Sequence, residues 1–106
     1  MAKFLMTTVY TPEGIRALQK DTASGRREAV TKLLQSAGGK LESFYYAMGD
    51  VDVIAIVELP DASTAASVSL TGSATGLYKV TTTALLGVEE VDRALAKKLA
   101  IRAPGQ

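Results

Sequence analysis

The chain has 106 residues with no cysteine and no histidine, and 12 Lys and Arg against 11 Asp and Glu leave a net charge of +1. That composition excludes disulfides, thiolate nucleophiles, cysteine-ligated clusters and zinc sites, histidine-ligated haem and the Ser-His-Asp triad, which removes most familiar catalytic machinery. A near-zero charge gives no electrostatic basis for a nucleic-acid or membrane partner, and no segment approaches the ~20 apolar residues of a membrane helix.

The length is that of one domain, residues 1–106, able to bury a single core. Lys3 to Thr11, KFLMTTVYT, is aromatic and β-branched and reads as a strand. Its alternation makes the start a poor signal peptide, so a cytoplasmic protein is expected. Thr11-Pro12-Glu13 reads as an N-cap with proline at the first helical position, opening a short helix to about Lys20. DTASG, Asp21 to Gly25, interrupts the pattern. From Arg26 to Ala37 the apolar set Ala29, Val30, Leu33, Leu34 and Ala37 has helical spacing, and Gly38-Gly39 closes the helix.

Leu41 to Met48 is a second strand, joined through Gly49-Asp50, as a tight-turn pair or within a longer turn or bulge, to a third, Asp52 to Leu59, which is apolar on both faces and therefore interior. Pro60 ends that strand, and Asp61 caps a helix of small side chains running to Ala74. Leu77 to Leu86 is the fourth strand. A final helix from Gly87 to about Leu99 carries Val88, Val91, Leu95 and Leu99 as one stripe, with acids in its first turn and lysines near its end. Arg102 to Gln106 reads as a loose tail.

The order β, α, β, β, α, β plus a terminal helix is that of an α+β, ferredoxin-like fold with an additional C-terminal helix. Its helices cover one face of a four-stranded sheet. A second copy packed sheet to sheet is the expected cover for the other, making a dimeric α/β barrel.

The segment RREAVTKLLQSAGGKLESFYYAMGDVDVIAIVELPD, Arg26 to Asp61, with FLMTTVYTPEG before it and the threonine-rich strand and EEVDRA after it, resembles the GYD-domain family of small bacterial proteins. The resemblance places the signature turn on Gly49, Val51 and Asp52, with Val51 where the family tends to have tyrosine. It implies a ferredoxin-like protomer in a dimeric α/β barrel and defines no biochemical role.

Asp50 and Asp52 read as an acid pair or as turn chemistry, with the turn favoured. Asp52 is the better candidate, because a carboxylate opening an apolar strand needs a partner if buried, and Arg27 at the start of the long helix is the expected one. Tyr10, Tyr45, Tyr46 and Tyr78 alternate onto the sheet faces, where they either line an apolar cavity or fill a dimer core; Tyr45 and Tyr46 take opposite faces. Arg26-Arg27 reads as a solvated helix start or ion pair, ahead of the alternative of an anionic ligand held at the helix N-terminus. Gly38-Gly39 ends a helix and is no phosphate loop, and the third strand lacks the stacking aromatics of an RNA-recognition motif.

The leading expectation is a homo-oligomer holding a small apolar or aromatic molecule between the sheets of a dimer, with Tyr10, Tyr45, Tyr46, Asp52 and Arg27 as the ligand-binding candidates and no cofactor or metal. The alternatives are a cofactor-free enzyme resembling dimeric α/β-barrel monooxygenases, in which tyrosines and Asp52 orient the substrate and move protons, and a purely structural assembly subunit.

Overall fold

The computed structural model describes residues 1–106. Its elements are β1 (Ala2–Tyr10), α1 (Pro12–Asp21), α2 (Ala23–Ser36), β2 (Lys40–Tyr46), β3 (Val53–Leu59), α3 (Ala62–Ser73), β4 (Tyr78–Leu85) and α4 (Val88–Ala96). The strands pair antiparallel in the order β2-β3-β1-β4, giving the expected ferredoxin-like α+β arrangement with a C-terminal helix added. β1 and β3 are the middle strands, which explains why both carry apolar residues on two faces.

The core lies between one sheet face and the helices. Phe4 and Met6 of β1 and Val53, Ala55, Val57 and Leu59 of β3 are buried against Leu34 of α2 and Ala65 of α3. Leu34, Val57 and Leu59 are the tightest anchors, and their burial contributes about 1.5–3 kcal/mol each. The small side chains of α3 let its backbone approach the sheet: Gly72 lies against the Tyr78 ring, and Ser73 Oγ accepts from Val80 N–H at 3.0 Å. Asp61 caps α3 as expected, accepting from the Thr64 N–H at 2.8 Å, and that bond and the Thr64 hydroxyl hold its carboxyl below the usual value.

Four local features refine the sequence reading or depart from it, the longer turn being one of the two forms expected at Gly49-Asp50. The expected break at Asp21 to Gly25 shrinks to a single residue, Thr22 at φ 70°, whose N–H caps α1 on Leu18 O and whose Oγ1 caps α2 by accepting from Gly25 N–H at 3.1 Å. α2 thus starts at Ala23. The turn at Gly49-Asp50 is a wider loop closed by Ala47 N–H on Asp52 O at 2.8 Å; Gly49 has no positive φ and open space around it. β2 contains a bulge between Leu41 and Ser43, with Glu42 as the extra residue. Finally, α4 ends at Ala96, short of Leu99, because Lys97 turns to an extended conformation.

No helix is long and apolar enough to cross a membrane. α1 is held by Gly14, where a Cβ would fall on the Leu77 carbonyl, the group that also accepts from Thr11 N–H at 2.9 Å. Gly14→Ala is therefore expected to cost about 1–3 kcal/mol by overpacking, whereas Gly49→Ala stays within about 0.5 kcal/mol of the unsubstituted protein. Urea unfolding of the two variants measures both.

Candidate functional site

Two irregularities assemble a cluster at one end of the helix-covered face. The bulge at Glu42 reverses the alternation of β2, so Phe44 and Tyr46 lie opposite Ala55 and Val53 on the helix side, while Tyr45, opposite Ile54, faces away and is 69% exposed. The Thr22 corner brings Arg26 into the first turn of α2, above the sheet.

Tyr10 ends β1 and Tyr78 begins β4, and the register sets them opposite one another. Their rings meet edge to face at 5.8 Å. The Arg26 guanidinium lies 5.7 Å from the Tyr78 ring centre and 3.9 Å from a carboxylate oxygen of Asp21. Tyr46 packs edge to face on Phe44 at 5.4 Å and donates its hydroxyl to the Ala23 carbonyl at 3.2 Å, tying the end of β2 to the start of α2.

Two spaces meet at Tyr10 and Tyr78. The outer one is an open cleft of ≈ 370 Å³ bounded by α1, Arg26, Asp21 and Lys20. The inner one, ≈ 60 Å³, runs under α2 and α3 and is walled mainly by apolar residues, among them Met6, Phe44, Val53, Val68 and Val80. Burial pushes the Tyr10 phenol above its ordinary 10.0, and the adjacent Arg26, which favours the phenolate, only partly offsets it. Burial and the nearby Tyr10 likewise raise Tyr46. Both hydroxyls therefore keep their protons well past neutrality and act as hydrogen-bonding groups.

Asp52 has a definite task. Its backbone N–H donates to Thr8 O at 2.8 Å, and its carboxylate Oδ2 accepts from Tyr10 N–H at 2.8 Å. Backbone and side chain together extend the β1–β3 ladder one rung beyond Val53, which fixes the residue that carries the Tyr10 ring. Asp50, by contrast, is exposed in the loop.

The expected Arg27–Asp52 ion pair is not formed, since the two residues serve different places. Arg27 borders a separate shallow hollow with Ala23, Ser24, Phe44 and Tyr46. Of the five candidate residues, Tyr10 and Tyr46 come together, Asp52 supports Tyr10 from behind, Arg27 stands aside and Tyr45 is on the opposite sheet face. The sequence reading names Arg26 beside Arg27, and Tyr78 among the sheet tyrosines, without bringing them to one site; pairing the first strand against the fourth in register sets Tyr78 opposite Tyr10. No group of three His, Cys, Asp or Glu side chains converges to hold a metal ion.

These features define a ferredoxin-like α+β domain with an aromatic cleft between its helices and its sheet. The GYD domain family model matches residues 4–95, and the chain belongs to that family. No curated protein and no solved structure matches it.

Asp52→Ala leaves the Tyr10 N–H without its acceptor, and a loss of about 1–2 kcal/mol in urea unfolding is expected. The phenols set a second outcome. Because both folded values lie above the unfolded one, their contribution is complete below pH 10 and is lost as pH rises through the folded values. Stability should fall on the alkaline side, and a Tyr10→Phe, Tyr46→Phe double variant should flatten that fall in unfolding curves recorded across alkaline pH.

Proposed function

We propose that the protein is a homodimeric binding module for a small, largely apolar aromatic molecule, held in each protomer between the helices and the sheet. The observation that carries this reading is the continuity of a polar-mouthed cleft with an apolar inner space through the Tyr10–Tyr78 pair. An aromatic body in the outer cleft of ≈ 370 Å³ gains area burial and contact with the Tyr10–Tyr78 pair, and the inner space of ≈ 60 Å³ takes only a small apolar substituent, while Arg26 and the phenols fix the orientation by hydrogen bonds. A ligand whose exposed end is anionic suits Arg26, whose present carboxylate neighbour at 3.9 Å is long for a hydrogen bond.

The binding place differs from the expected gap between two sheets, because Tyr10, Tyr46 and Tyr78 all lie on the helix side. The second copy belongs to the other face, where Leu5, Ile54 and Ile56 have no helix above them and Val9 and Tyr45 are exposed. Pairing these faces removes an apolar sheet from water without touching the cleft. The raised phenols favour binding over proton transfer, since a base with a value above 10 is protonated at neutral pH. A cysteine-free chain needs no oxidising compartment, in keeping with a cytoplasmic site of action.

A planar aromatic sulfonate dye is the probe. Fluorescence titration is expected to show Arg26→Gln weakening the dye about tenfold, the equivalent of about 1.4 kcal/mol, and Tyr45→Ala leaving it unchanged. Dye affinity that ignores Arg26→Gln and falls with Tyr45→Ala would place binding on the open face and overturn the reading.

A further inference from the structure

The C-terminal arm, Leu86 to Ile101, has no substantial packing against its own protomer. Every residue from Leu86 to Arg102 is exposed, including Leu86 at 66%, Val88 at 80%, Leu95 at 78% and Leu99 at 83%. Val88, Val91 and Leu95 fall on one side of α4 at helical spacing, with Glu89, Glu90 and Arg93 outside it. A nine-residue helix is marginal in water by itself, so an apolar stripe of this kind needs a surface to form against.

The size of the mismatch identifies that surface. The protomer is 58 Å long with a radius of gyration of 17.1 Å, against about 13 Å for a compact chain of this length. Its accessible surface is 7492 Å² for 11.1 kDa, where a compact monomer of that mass exposes about 5,700 Å², an excess of about 1,800 Å². Two such protomers hold an excess of about 3,600 Å², within the ~2,000–5,000 Å² that obligate homodimers bury.

We infer that the arm belongs to a second copy of the chain: α4 and the residues after it cross to the partner and lay their apolar stripe on it, each copy giving and receiving one arm. The inference rests on the pairing of open sheet faces in that it needs a second copy, but it uses different residues and fails separately. Leu95→Glu places a charge on a position that is exposed in the lone protomer, so it is harmless there and disruptive only if a partner covers it.

Sedimentation of the full-length protein tests this. The unsubstituted chain should be a dimer at micromolar concentration, and Leu95→Glu should raise its dissociation constant about 100-fold or more with the far-ultraviolet circular dichroism retained. Ile54→Glu tests the sheet faces in parallel. If Ile54→Glu dissociates the dimer and Leu95→Glu does not, the arm inference is wrong and the pairing stands; the reverse result supports the arm and removes the pairing. A native chain that stays monomeric overturns both. A Leu95→Glu variant with reduced unfolding stability and unchanged association means that the arm folds back on its own protomer, which also overturns the exchange.

Discussion

A four-stranded sheet has two faces, and this chain has helices for one. The two middle strands make that shortage acute. Val53, Ala55, Val57 and Leu59 of β3 are buried under α2 and α3, while Ile54 and Ile56 of the same strand look the other way with nothing above them. A strand apolar on both sides is stable only where both sides are covered. Much else in the molecule answers to this constraint, from the spare apolar surface of the open face to the extended arm that the body does not use.

The candidate site depends on two small breaks in regularity. At the bulge in β2, one extra residue changes which of two adjacent tyrosines meets the helices. Were Glu42 paired regularly opposite Ile56, with no bulge, Ser43 and Tyr45 would fill the positions now held by Phe44 and Tyr46, and the Ala23 carbonyl would lose the Tyr46 hydroxyl that donates to it. At Thr22, one residue of positive φ is the end of one helix and the beginning of the next, so α1 and α2 meet at a corner with no slack between them. That corner brings Asp21 and Arg26 together at the mouth of the cleft. Asp52 performs a similar service from the sheet side, using a side chain as a rung where the backbone ladder has run out.

Most of the fold was legible in the residues. The order of elements, the caps at Thr11 and Asp61, the proline that ends β3 and the two-sided strands all announce themselves through local chemistry, and the topology follows from them. The site was less legible, for physical reasons. Glu42 and Ser43 are both polar, so alternation gives no sign of which one is the extra residue, and the parity of everything after it is lost. DTASG has the composition of a loop, yet the Thr22 hydroxyl sits three residues before an N–H it can cap, which turns the apparent loop into a helix start. Asp52 was recognised as a carboxylate in need of a partner, but a backbone N–H from a strand forty-two residues away is invisible to a reading of spacing. The stripe on α4 was read correctly as apolar; that it faces water along its whole length is a tertiary fact.

The sheet also acts as a septum. On one side lie Tyr10, Tyr46, Tyr78, Arg26 and the apolar inner space; on the other lie Ile54, Ile56, Val9 and Tyr45. The only material common to the two sides is the backbone of the strands, above all the end of β1, where Val9 points to the open face and Tyr10 to the cleft in consecutive positions. Rigid β pairing at that end, reinforced by Asp52, ties the placement of one ring to the placement of its neighbour's side chain. A contact that shifts Val9 must therefore act on Tyr10 through a shared peptide unit, whereas a contact at Leu5, deep in the paired region and held by both β3 and β4, has far less purchase on the cleft.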